Sequence, residues 1–278
     1  MRATVHADVT QFARLVRPLF ATDPVQHNAA LTVLGQVEFA DEAGALASIA
    51  DKGSLRGAVL GNPGWPVAVS GLPERAASLV ADVLVMSGIS LPGATGPRCE
   101  AEAFATAWTH STGVEAKPEM VQVLHALGTL VPPCGVPGEF RLCDPRDFST
   151  VVAWRSEFVA EAVPLASAEE NPAGSVVKGI ALGGAYGVWA VGQKPVSMAF
   201  ARAADCGMSR ISFVYTPPEH RGHGYASAVT AAVSSWAQGE AAHVVLFTDA
   251  DNPVANAVYR RLGYRPVHEA IEFAFGGR

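Results

Sequence analysis

The chain has 278 residues, is 49% hydrophobic and carries a formal net charge of -6 at pH 7. That length suits two modest domains, and the acidic balance gives no general pull toward nucleic acid or anionic lipid, so neither is expected as a partner. No apolar stretch reaches the roughly 20 residues of a membrane helix, and the start at Met1-Arg2-Ala3-Thr4 lacks a signal-peptide pattern, which makes the cytoplasm the expected location.

Along the first half, Val9, Phe12, Ala13, Val16 and Leu19 recur at helical spacing and predict a helix over 9–20. Short strands are expected at 55–60 and 66–70, followed by a helix opening at Leu72-Pro73-Glu74 and running to Met86. The run Leu91-Pro92-Gly93-Ala94-Thr95-Gly96-Pro97 holds two prolines that cannot donate from the backbone, so it reads as a loop. A helix over 100–112 ends at Gly113. Alternation of strands and helices predicts a layered α/β domain here.

Leu130 to Gly138 concentrates proline and glycine and reads as a junction. The expected organisation is a domain over 1–130, a linker over 131–138 and a second domain over 139–278. In the second domain a strand at Phe140-Arg141-Leu142 precedes a helix over 151–162. Gly192-Gln193-Lys194 then turns a hairpin between strands 186–191 and 195–203. A third strand over 210–216, a helix over 224–237, a strand over 243–248, a helix over 253–262 and a last strand near 269–275 complete an α/β order with a mixed sheet.

The chemistry-bearing stretch runs from Ile211 to Ala226. A strand leaves through Pro217-Pro218 into Arg221-Gly222-His223-Gly224-Tyr225-Ala226, where a helix opens. The first N–H groups of a helix lack intrahelical partners and its dipole favours negative charge, so this is an anion site by construction. Gly222 and Gly224 allow close backbone approach, and Arg221 can add a charge-assisted contact. The dinucleotide pattern Gly-x-Gly-x-x-Gly fails at its third glycine, where Ser227 stands.

Other chemistries lack their residues. Cys99, Cys134, Cys143 and Cys206 form no Cys-x-x-Cys pair and are expected as thiols. His220 and His223 lie in one loop with no third ligand in view, so no metal is expected.

Arg221, Gly222, His223, Gly224 and Ala226 resemble the acetyl-CoA motif Gln/Arg-x-x-Gly-x-Gly/Ala of the GNAT superfamily. The downstream run Asn256-x-x-Tyr259-x-x-x-Gly263-Tyr264 is similar to a second segment of that family. The resemblance implies acetyl-CoA as co-substrate, held by Val214, Tyr215 and Thr216 of the strand, by Arg221 to Ser227 at the helix start, and by Asn256. It also implies Tyr259 as the acid that protonates the departing thiolate, and direct attack by an amine of a small molecule or peptide. Glu157, Glu161 and Glu219 are open as the base.

The first half, through Leu91 to Pro97 and Phe104-x-x-x-Trp108, together with Trp154-x-x-x-Phe158-x-x-Glu161, looks like bacterial tandem GNAT proteins whose N-terminal lobe has lost its cofactor loop. The implied fold is two GNAT-like lobes in tandem, the C-terminal one complete. A non-catalytic acyl-CoA-binding or scaffold protein on the same fold is the competing reading.

Overall fold

The computed structural model describes residues 1–38, 44–162 and 171–276. Two compact units emerge, Met1–Val123 with His268–Arg278, and Leu124–Val267. The fold is α/β with a mixed sheet in each.

In the first unit, the strands β1 (Arg2–Val5), β2 (Leu46–Asp51), β3 (Ser54–Leu60) and β4 (Val67–Ser70) pair antiparallel in sequence order. Helix α1 (Val9–Phe20) buries Phe12, Ala13 and Val16 of the predicted stripe together with Phe20, while Val9 and Leu19 are only half-buried, and Asp8 caps Gln11 N–H at 2.9 Å. Helix α2 (Asn28–Val37) follows. After β4 the chain enters a short 3-10 turn and α3 (Ala77–Met86).

The run read as a loop at 91–97 is corrected: Gly93–Pro97 is strand β5, parallel to β4 and antiparallel to the end of the last strand. Its glycines are there for close packing. A Cβ at Gly96 would lie 2.4 Å from the Val69 carbonyl oxygen, and one at Gly93 2.2 Å from that of Phe273. Pro97 sits at the strand end, where its missing N–H interrupts little. Helix α4 (Arg98–Thr112) then packs Phe104 and Trp108 into this unit's core. Strand β6 (Ala116–Leu127) starts in the first unit and ends in the second.

In the second unit, β7 (Glu139–Leu142) leads to α5 (Phe148–Ala162), whose entry is fixed by Asp144 and Asp147 capping a 3-10 turn, with Arg141 paired to Asp147. Asn171 caps α6 (Pro172–Ala181). Strands β8 (Ala185–Val191), β9 (Lys194–Ala201) and β10 (Met208–Tyr215) are antiparallel neighbours, and β11 (His243–Asp249) is parallel to β10. Between them run α7 (Tyr225–Gln238) and, after β11, α8 (Pro253–Arg261), and β12 (Tyr264–Phe275) closes the chain. Two cores flank this sheet: Val229, Val233, Leu246, Leu262 and Tyr264 lie on the α7 side, and Val151, Val176, Tyr186, Met198 and Tyr215 on the α5 side.

The segment expected as a linker lies with the second unit. Val131 N–H donates to the Leu262 carbonyl at 3.0 Å and Trp189 Nε1–H to the Pro137 carbonyl at 2.8 Å. Strands β1, β2 and β6 and helices α2 and α6 are additions to the elements expected from the sequence. Among the described residues no helix is long and apolar enough to cross a membrane.

Candidate active site

Strand β10 parts from β11 and bulges against β9 at its C-terminal end. Its pairing with β11 stops at Ile211 opposite Leu246, and its register against β9 shifts between Ser212 and Tyr215. Phe213 at the shift has φ +50°, a left-handed conformation rare for a bulky side chain. The surroundings hold it there. Its ring meets Phe158 edge-on at 5.4 Å, and the Arg155 guanidinium lies 3.9 Å from its centroid. Phe213 and Tyr215 thereby face the α5 core, while Val214 packs on the α7 core. Below them, Ser197 Oγ donates to the Tyr215 carbonyl at 3.0 Å and lies 2.8 Å from Thr216 Oγ1. The strand end is therefore braced while its edge toward β11 is left unpaired.

Beyond Thr216 the chain makes a 3-10 turn over Pro218–His220 and reaches the glycine loop. Gly222 has φ +81° and Gly224 φ +82°, so each takes a conformation costly for other residues. A Cβ on Gly222 would meet no protein atom within 4 Å; one on Gly224 would touch Val136 Cγ2 at 3.2 Å. Gly224 caps α7 without a side chain, and the first intrahelical bond runs from Ala228 N–H to its carbonyl. The N–H groups of Tyr225, Ala226 and Ser227 consequently point out of the helix start with no intrahelical acceptor. His223 stacks on Tyr225 at 5.4 Å, which walls one side of this cradle.

Arg221 is placed differently from a side chain aimed over that cradle. Its Nε donates to the Thr216 carbonyl at 3.0 Å and its Nη2 to Glu161 Oε2 at 2.7 Å. Glu161 Oε1 also accepts from Tyr215 Oη at 3.1 Å, and burial together with Glu157 and Glu161 holds the Tyr215 phenol well above its ordinary pKa. One carboxylate thus ties the end of α5 to both the strand end and the loop. Glu219 stands exposed on the 3-10 turn.

On α8, Tyr259 is half-buried against the α7 core, the cluster that also carries Val214, with its ring edge-on to Tyr264 at 6.0 Å. Burial pushes its phenol up to about 12, so it stays protonated at neutral pH. Asn256 is engaged internally. Its Oδ1 accepts from Thr248 Oγ1 at 2.5 Å, and its Nδ2 donates to the carbonyls of Asn252 at 2.9 Å and Asp249 at 3.0 Å.

His125 at the end of β6 joins this group, Nε2 lying 3.3 Å from Asn256 Oδ1 and 3.2 Å from Thr248 Oγ1. Since that amide oxygen only accepts, Nε2 carries the proton. Burial lowers the His125 pKa and keeps the ring neutral. The sequence reading missed His125; alternation through Val121, Val123, His125 and Leu127 is the signal that marks its strand.

Residues 151–264 match the family model described as acetyltransferase (GNAT) family. No curated protein matches the chain in sequence. Among solved structures, an acetyltransferase from the GNAT family of Colwellia psychrerythraea superposes with TM-score 0.64 at 12% identity, over 99% of this chain and 100% of its own. A GCN5-related N-acetyltransferase from Kribbella flavida gives 0.60 at 18% identity, over 95% and 96%. A tandem GNAT protein from the clavulanic acid biosynthesis pathway gives 0.59 at 14% identity, over 100% and 99%. At these identities the likeness is one of fold, and with the tandem protein it spans both GNAT-like lobes.

Proposed function

Residues 151–264 being a GNAT acetyltransferase domain, we propose that the second unit transfers an acetyl group from acetyl-CoA to an amine of a small molecule or peptide, in the cytoplasm and without a metal. The observation that carries this is the pairing of two features in one continuous segment. A strand that parts from its neighbour after Ile211 is followed by a positive-φ glycine cradle at the start of α7. Acetyl-CoA fits that pairing, and when bound it supplies an activated acyl carbon on a thiol leaving group.

The residues act by holding and by moving protons. The N–H groups of Tyr225, Ala226 and Ser227 donate to a pyrophosphate, with Gly222 and Gly224 keeping side chains out of the way and His223 flanking it. Arg221 works through its tether, fixing the Thr216 carbonyl and the loop entry, while the main chain of Val214, Tyr215 and Thr216 orients the pantetheine arm along the unpaired strand edge. A main-chain N–H near Val214 stabilises negative charge developing on the acyl oxygen. In the transfer the amine nitrogen bonds to the acyl carbon, the carbon–sulfur bond breaks, and the nitrogen loses one proton to water, from which Tyr259 regains the proton it gives to the thiolate. Tyr259, kept protonated by burial, donates a proton to the thiolate. Asn256, its amide shared among Thr248, Asp249 and Asn252, contributes by fixing the start of α8 on which Tyr259 stands.

A thiol-release assay with acetyl-CoA and an amine panel, run beside calorimetric titration of acetyl-CoA, tests the reading. Turnover with at least one amine is expected. Tight acetyl-CoA binding without turnover across the panel would instead support a non-catalytic acyl-CoA-binding module, and no binding at all would remove both.

A further inference from the structure

The Asn256 side chain has no hydrogen-bonding capacity left over. Its Oδ1 accepts from Thr248 Oγ1 and from His125 Nε2, and its Nδ2 donates to the carbonyls of Asn252 and Asp249. A carboxamide offers two acceptor lone pairs and two N–H groups, so all four are spent. They are spent on the connection from β11 to α8. Asp249 ends β11, Asn252 caps α8 by accepting from Ala255 N–H at 3.0 Å, and Asn256 N–H donates to the Asn252 carbonyl at 3.1 Å. No residue of α8 is fully buried, so packing alone anchors this helix weakly and its polar ties carry more of the task.

His125 adds an anchor from another element. It lies on β6, the neighbour of β11 in the sheet, and is only 3% exposed. Its two ring nitrogens fare differently. Nε2–H is shared between Asn256 Oδ1 and Thr248 Oγ1, whereas Nδ1 is buried with no hydrogen-bond partner among the described residues. A buried acceptor without a donor destabilises a fold, and an apolar ring of similar size would avoid that penalty. The imidazole is thus poorly suited to packing alone; what it supplies that a phenyl ring does not is the Nε2–H. A local departure from good packing chemistry is what a functional demand produces. Tyr259 stands one turn after Asn256 on the same face of α8, so whatever holds the Asn256 amide also sets where Tyr259 sits.

Resting on the acyl-transfer reading above, with Tyr259 as its acid, we propose that His125 is a positioning residue for that acid. Its Nε2–H holds the Asn256 amide against Thr248, the amide holds the connection from β11, and α8 in turn holds the Tyr259 phenol at the departing sulfur. His125 touches neither substrate and transfers no proton.

The test compares His125→Phe, His125→Gln, Tyr259→Phe and the double variant His125→Phe/Tyr259→Phe in the full chain, with acetyl-CoA and the fastest amine of the panel. His125→Phe should lower kcat about tenfold and leave the KM for acetyl-CoA within about twofold. Its Tm should be unchanged or raised, because the unpartnered Nδ1 goes with the ring. His125→Gln can present an amide N–H where Nε2 stood and should recover kcat to within about threefold of wild type. In the Tyr259→Phe background, His125→Phe should cost no more than about a further twofold, since the residue acts through the phenol. An unchanged kcat in His125→Phe, equal losses in the Phe and Gln variants, or the full loss repeated in the Tyr259→Phe background overturns the proposal. A His125→Phe chain that fails to fold shows a packing role and overturns it too. If acetyl-CoA binds but no amine turns over, or if Tyr259→Phe keeps its kcat, it is the acyl-transfer reading or its acid that fails. The hold on α8 is then judged by amide hydrogen exchange over 249–256: faster exchange in His125→Phe but not in His125→Gln sustains it, and no difference overturns it.

Discussion

The two units answer the same local problem in different ways. Each has a strand with a parallel neighbour, followed by a turn and a helix: β4 beside β5 and leading to α3 in the first, β10 beside β11 and leading to α7 in the second. In the second, the connection is long enough for Gly222 and Gly224 to turn main-chain N–H groups outward at the helix start. In the first it shrinks to Gly71-Leu72-Pro73, and its N–H groups are taken by the protein itself. Glu100 of α4 accepts from Leu72 N–H at 3.1 Å and also bonds Gly71. One fold can thus offer its strand-end donors to a ligand or cap them with its own carboxylate, and a few connecting residues decide which.

The sharpest way to break that contrast is to spoil the open connection. Gly224→Asp places a side chain at φ +82° and a carboxylate where the phosphates are proposed to sit. Strain of about 1–2 kcal/mol and charge repulsion together should weaken acetyl-CoA binding by at least about 100-fold in calorimetry, with the circular dichroism spectrum retained. Normal binding by a folded variant means the cradle has been misassigned. Tyr259→Phe should act on chemistry instead, lowering kcat by roughly 10- to 100-fold at unchanged acetyl-CoA affinity. A change in affinity with kcat intact would make it a packing residue.

The contrast was half visible in the sequence, for physical reasons. Signals that act over a few residues were legible: the Gly192 hairpin turn and the two loop glycines describe local backbone needs. Strand β5 looks like a loop from sequence alone because Gly93 and Gly96 answer to atoms of Phe273 and Val69, which no local pattern contains. The site shows the same limit. Its segments were legible in order, but the turn of Arg221 toward Glu161 and of the Asn256 amide toward Thr248 and His125 depends on partners far along the chain.

Glu161→Gln sharpens the comparison from the open side by cutting the tether between α5 and the loop. Both of its side chains are about half exposed, at 50% for Arg221 and 48% for Glu161. The loss should therefore be about 1 kcal/mol or less, a two- to fivefold rise in the KM for acetyl-CoA with the pH profile of kcat unchanged. If kcat collapses and its acid limb disappears, Glu161 is the general base and the tether is secondary.

The capped connection is tested through Glu100, with the smallest expected effect. Burial raises its pKa to about 7 from 4.5, outweighing the bonds from Leu72 and Gly71 that favour the charged form. An acid whose pKa is higher folded than unfolded contributes stability that is full below the unfolded value and lost as pH rises through the folded one. The wild-type first unit should therefore weaken between about pH 4.5 and pH 8, whereas Glu100→Gln keeps an acceptor for Leu72 N–H and has nothing to ionise. Calorimetry should show the variant's first transition higher by a few degrees at pH 8, about 1–2 kcal/mol, and equal to wild type at pH 4. Acetyl-CoA affinity should not move at either pH, because the residue caps a connection in the first unit and the acetyl-CoA site is proposed in the second. A variant less stable than wild type at pH 8 would show that the ionised carboxylate, with its two backbone donors, is the form the first unit is built around.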